Sequence, residues 1–214
     1  MYNFIEWFIN ILKSDKPSGI KMKNSNETSK NRIKCALVIG HKKTSQGAYN
    51  KKFDMHEFEF NETLSKNIES QIDKTDIDIY RIYRRTYASL PNDINELNPD
   101  FVISLHCNAF NKKATGSEVL YYHKSEKGKK FATILQRNLL KYLNLKNRDI
   151  REKSAEDRGG YLLKSTNAPC IISEPFFIDN DSDYQIAAIE KYDLLIKAYT
   201  QGIIEIASMI QRKI

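Results

Sequence analysis

The sequence predicts an α/β fold: a twisted, mostly parallel sheet flanked by helices. Three observations carry that expectation. From residue 33 onward, short apolar runs alternate with longer amphipathic stretches. The runs "CALVIG", "FVISLH" and "CIIS" are apolar at nearly every position, as strands covered on both faces require. The stretches between them have helical periodicity, and helices are the usual connection between parallel strands.

In chain order, "CALVIG" (35–40) is the first strand. "EFEFNETLSKNIESQI" (57–72) is a helix, because Phe60, Leu64, Ile68 and Ile72 recur at four-residue intervals. "IDIYRIY" (77–83) is a strand, and "PNDINEL" is a short helix begun by Pro91. "FVISLH" (101–106) and "SEVLYY" (117–122) are strands. "GKKFATILQRNLLKYL" (128–143) is an amphipathic helix, and "CIISEPFF" (170–177) holds a further strand. The remaining apolar sequence gives a shorter helix and then a long closing one.

The chain has 214 residues, 41% of them hydrophobic, which suits one globular domain with an extension. Its charge is uneven. Residues 1–52 hold eleven Lys/Arg and three Asp/Glu, whereas the remainder holds 23 and 24. Residues 1–13, "MYNFIEWFINILK", form an amphipathic helix, 14–32 a polar basic linker, and 33–214 the compact domain. The first helix is too short to cross a bilayer and lacks the basic start and small-residue cleavage site of a signal peptide. It reads as a docking helix, with a membrane-surface anchor as the alternative. The basic segment suits an anionic wall polymer or membrane surface. Nucleic acid is not expected, because the core is nearly neutral and the basic stretch lacks interleaved aromatics. The odd cysteine count (Cys35, Cys107, Cys170), without a CxxC pair, argues for buried thiols and not a disulfide framework.

In sheets of this kind, functional groups gather at the carboxyl ends of strands. Three polar residues stand there: His41, His106 and Glu174. Two imidazoles and a carboxylate make a catalytic zinc site with one position open to water. A carboxylate for it is available on the helix after the first strand. Glu57 lies seven residues before Leu64, two turns away, and so shares its inward face. Glu59 and Glu62 fall toward solvent; Glu59 is the alternative if the helix start is shifted. Glu174 is then free to serve as general base and acid, against the alternative of a helix cap or ion-pair partner. His56 and His123 are expected not to be ligands. Cys107, next to His106 in extended chain, points to the other face.

These segments, "VIGH", "HEFEFN", "SLHCNA", "GSEVLYY" and "SEPFFIDN", resemble the zinc-dependent N-acetylmuramoyl-L-alanine amidases of type 3, a group that includes phage endolysins. The resemblance runs from Lys34 to the C-terminus. It implies hydrolysis of the amide between N-acetylmuramic acid and L-alanine in peptidoglycan, with Zn2+ as cofactor and the cell wall as place of action. By position it makes His41, Glu57 and His106 the metal ligands, Glu174 the catalytic glutamate, and Asn108 a residue that orients its loop or touches substrate. The sequence departs from the group at "VIGHKKT", where Asp-Pro-Gly-His-Gly-Gly is usual, and at Leu90, where arginine is common. Phe176 also stands where the group often has glycine. The competing readings are an inactive relative that binds peptidoglycan or regulates a true amidase, and a zinc peptidase of the stem peptide.

Overall fold

A computed structural model describes residues 32–72 and 75–212. The expected helix at 1–13 and nearly all of the linker at 14–32 lie outside the described residues. Arg32 is described, and its Nε donates to Asp78 Oδ1 at 2.6 Å. No helix among the described residues is long and apolar enough to cross a membrane.

The elements run β1 (Ile33–Ile39), a two-strand hairpin β2 (Tyr49–Asn50) and β3 (Met55–His56), then α1 (Glu57–Ile72), β4 (Ile77–Tyr83) and α2 (Leu90–Asn95). There follow β5 (Phe101–Leu105), β6 (Ser117–Tyr122), α3 (Glu126–Leu143), β7 (Asn147–Lys153), α4 (Gly160–Ser165) and β8 (Cys170–Glu174). The chain closes with α5 (Asp181–Tyr184), a π-helical stretch Gln185–Glu190, and α6 (Tyr192–Gln211). Six strands form one sheet in the order β4-β1-β5-β8-β6-β7. Every pairing in it is parallel except β6 with β8.

Side chains alternate across the sheet and build two cores. On one face Leu37, Ile103, Val119 and Ile171 pack with Leu64 and Ile68 of α1, Leu135 and Leu139 of α3, and Tyr199 and Ile203 of α6. On the other face Ala36, Val38, Val102, Leu120 and Ile172 pack with Leu90 and Ile94 of α2 and Leu162 and Leu163 of α4. The strands are apolar at consecutive positions because both faces are covered. α3 is bounded by local chemistry: Ser125 Oγ accepts from Gly128 N at its start, and Asn144 takes a left-handed conformation at its end.

The short β2–β3 hairpin, β7 and α4 differ from expectation. β7, "NRDIREK", was not foreseen as a strand. It is an edge strand with one apolar residue, Ile150, so hydrophobic alternation is missing; main-chain bonding to β6 holds it. The turn of helix α4 lies in a stretch too short to show a period. The three cysteines are free and buried, as expected.

Candidate active site

Sheet register brings the site together. β1, β5 and β8 are parallel neighbours, with Ile39 opposite Leu105 and Leu105 opposite Ser173. The next residues, His106 just past β5 and Glu174 at the end of β8, therefore stand side by side at the carboxyl edge of the sheet. His106 N donates to Ser173 O at 3.0 Å, and Gly40 N donates to Leu105 O at 2.9 Å, which extends the ladder to the residue before His41. His106 and Glu174 share the strand parity of Val102 and Ile172, so they face the layer that holds α2 and α4. His41, His106 and Glu174 line one cleft of about 570 Å³ on that side.

Glu57 comes from the opposite layer. As the first residue of α1 it stands at the carboxyl edge of the sheet, only 2% exposed. Its Oε1 lies 2.9 Å from His106 Nδ1, and its Oε2 lies 3.0 Å from His41 Nε2. Backbone donors fix this carboxylate: Cys107 N reaches Oε1 at 3.0 Å and Ala48 N reaches Oε2 at 3.2 Å. Burial raises the Glu57 carboxyl, but the hydrogen bond of His106 and the charges of His106 and His41 outweigh it and hold the group far below the usual range. Glu59 is exposed and lies outside the cluster that Glu57 joins.

One potential ligand atom from each of His41, Glu57 and His106 lies within 4.8 Å of the others, a group that can hold a metal ion. The donor set suits zinc. The residues also fit the ion electrostatically. His41 Nε2 is buried and, though close to Glu57, makes no well-oriented hydrogen bond. A buried nitrogen left in that state calls for a partner of another kind.

The local backbone is built for this cluster. His41 has φ +65°, an uncommon conformation for histidine that turns its ring back toward Glu57. A Cβ on Gly47, whose φ is +81°, would stand 2.6 Å from both Glu57 Oε2 and His41 Cδ2. A Cβ on Gly40 would stand 2.4 Å from Leu105 O and 2.7 Å from the His106 ring. Both positions require glycine.

Glu174 reaches the cleft with part of its side chain, while its Oε2 is buried without a hydrogen-bond partner. Burial first, then the negative charges of Glu57 and Glu118, push its carboxyl well above the usual range; Arg158 and Lys153 oppose this. No ion-pair or capping partner holds it among the described residues, against the alternative role for this residue. A carboxyl poised in this way, beside a pair of imidazoles, suits proton transfer.

Asn108 shapes the loop. Its Nδ2 donates to Glu118 Oε1 at 2.5 Å, its backbone N donates to Phe176 O, and its backbone O accepts from Ile178 N. Glu118 is in turn bonded by Arg148 Nε at 3.0 Å. His56 stacks on Tyr49, and His123 is exposed beside Tyr122, so neither joins the cluster. Cys107 is buried against Asn61, on the side away from the cleft. Sequence reasoning missed Gly47 and Asp183. The carboxylate of Asp183 accepts from Gly116 N, Phe177 N and Thr115 Oγ1 and ties the loop after Glu174 to the loop before β6. "GSEVLYY" and "SEPFF" drew attention to both loops but not to the aspartate between them.

A family model described as N-acetylmuramoyl-L-alanine amidase matches residues 35–205. The chain belongs to the N-acetylmuramoyl-L-alanine amidase family. It is a peptidoglycan hydrolase of that specificity, cleaving the amide between N-acetylmuramic acid and L-alanine. Solved structures agree in fold. An N-acetylmuramoyl-L-alanine amidase from Clostridium difficile 630 is 23% identical over 82% of this chain and 96% of that one, with TM-score 0.74. The catalytic domain of an amidase from Bacillus (Paenibacillus) polymyxa var. colistinus is 16% identical over 81% and 97%, with TM-score 0.71. The catalytic domain of the CD27L endolysin targeting Clostridia difficile is 26% identical over 81% and 98%, with TM-score 0.69. A sequence comparison with curated proteins gives no match.

Proposed function

We propose that this amidase depends on one zinc ion held by His41, Glu57 and His106, and that Glu174 is its general base and acid. The observation that carries the reading is the buried Glu57 carboxylate, 2.9 and 3.0 Å from two imidazoles that line the cleft Glu174 enters. Bound zinc would polarise the scissile carbonyl and make water a competent nucleophile at neutral pH.

The chain's own groups supply the rest. The fixed Glu57 carboxylate orients the His106 ring through Nδ1, and its charge offsets that of a cation. Glu174 takes a proton from the attacking water on its free carboxylate oxygen and passes it to the nitrogen of the departing L-alanine. An elevated carboxyl serves this second step, because it releases its proton less readily to bulk water. Asn108, by holding Glu118, keeps the floor of the cleft beside Glu174 fixed.

Peptidoglycan is thus the substrate, and the basic stretch of residues 1–52 supports a second contact with an anionic wall polymer or membrane surface. The test is digestion of defined muropeptides with and without a chelator, read by mass. Release of intact stem peptide that the chelator stops and zinc restores supports the reading. Cleavage within the stem peptide would instead support a peptidase, and no cleavage an inactive binder.

A further inference from the structure

We propose that Arg84, Lys153 and Arg158 form a subsite in the catalytic cleft for a carboxylate of the stem peptide. The inference deepens the amidase reading and rests on it. Its basis is a group of three cations without salt bridges. All three cations line the cleft that holds His106 and Glu174. None forms a salt bridge among the described residues, although the charge of Lys153 reaches Asp157. Other arginines of the domain do: Arg81 with Glu69, Arg85 with Asp93, Arg137 with Glu205 and Arg148 with Glu118.

Of the acids on the same walls, only Glu118 is paired with an arginine; Asp157 and Glu156 keep their charge at the rim. Glu118 is bonded by Arg148 and Asn108. Asp157 accepts from Ser154 N at 2.6 Å and from its Oγ at 3.0 Å. Glu156 is exposed. Arg158 and Lys153 line the same cleft as Glu174, and their charges reach it. Arg84 is held from the other side, its guanidinium 5.8 Å over the Tyr87 ring, which lies 5.6 Å from the ring of Tyr161. Tyr161 is fixed by its hydroxyl, which donates to Ala88 O at 3.0 Å.

Three cations free of salt bridges in one cleft attract an anion and discriminate against its neutral isostere. The group that leaves in this reaction is a peptide, and stem peptides carry carboxylates. Two sources exist: the α-carboxylate of the second residue, linked onward through its side chain, and a carboxylate of the third residue. Amidation removes either one and leaves the shape almost unchanged.

The test is calorimetric binding of the released stem tripeptide to the full chain, with the free acid compared to forms amidated at the second or at the third residue. The free acid is expected to bind about tenfold more tightly than one amidated form, at the lower end of a charged hydrogen bond. The amidation that costs affinity identifies the carboxylate. Arg84→Gln combined with Arg158→Gln is expected to abolish that difference and the salt dependence of binding, with an unchanged thermal midpoint. No measurable binding at millimolar peptide, equal affinity for all three forms, or a difference that survives both substitutions would overturn the proposal. Product binding needs no turnover. A chain that released no stem peptide from peptidoglycan would fail the amidase reading while this comparison still decided the subsite.

Discussion

Glu174→Gln separates stability from chemistry at one position. Glutamine keeps the shape of the side chain and removes its charge. In the native protein this carboxyl is raised by burial and by the charges of Glu57 and Glu118. A group raised on folding leaves stability intact below its unfolded pKa, about 4.3 for glutamate, and costs stability as pH climbs through the folded value. Each unit of elevation corresponds to about 1.4 kcal/mol. Each kcal/mol moves the melting midpoint of a domain of this size by about 2–4 °C. In chelated protein at pH 7 the variant should therefore melt above the wild type, and the gap should close as pH falls toward 4. Its turnover should drop by roughly 10²–10⁴-fold, the usual worth of general acid–base help. The assay pairs calorimetric melting between pH 4 and 8 with mass detection of released stem peptide. Wild-type turnover would remove Glu174 from the mechanism. A lower midpoint at pH 7 would contradict the account of its environment.

Other outcomes follow from the same geometry. Gly47→Ala puts a methyl 2.6 Å from Glu57 Oε2 and should weaken metal affinity at least tenfold, as equilibrium dialysis would show. Asp183→Ala leaves the N–H groups of Gly116 and Phe177 buried without an acceptor and should cost about 2–4 kcal/mol in denaturant unfolding. Saturating the native site with zinc at a hundredfold excess over Kd should add about 2.7 kcal/mol of stability, visible as a chelator-reversible rise in midpoint. Deleting residues 1–32, which hold six Lys/Arg and three Asp/Glu, should reduce sedimentation with cell walls and the salt sensitivity of that association.

Much of the fold was legible because the central strands are buried on both faces. "CALVIG", "FVISLH" and "CIIS" have no other stable use, and they became the adjacent parallel strands β1, β5 and β8. The candidate site was legible for a related reason: a polar residue at the end of such a strand has few explanations, and three occurred at one sheet edge. Helical phase favoured Glu57 over Glu59, and the burial of one and exposure of the other match that phase. What escaped was fixed by main-chain geometry and long-range hydrogen bonds. β7 is polar and is held by β6, so its residues carry no apolar pattern. Gly47 looks like any loop glycine until Glu57, ten residues on, closes over it. Asp183 serves two loops separated by about sixty residues, which no local spacing reveals.

Crystals of the zinc-loaded protein, measured at the zinc absorption edge, bear most directly on the role given to His41, Glu57 and His106. A single anomalous peak about 2.0–2.2 Å from one nitrogen of each histidine and from a Glu57 oxygen is the predicted result. A peak elsewhere, or full activity in a chain whose cluster binds no ion, would contradict the assignment.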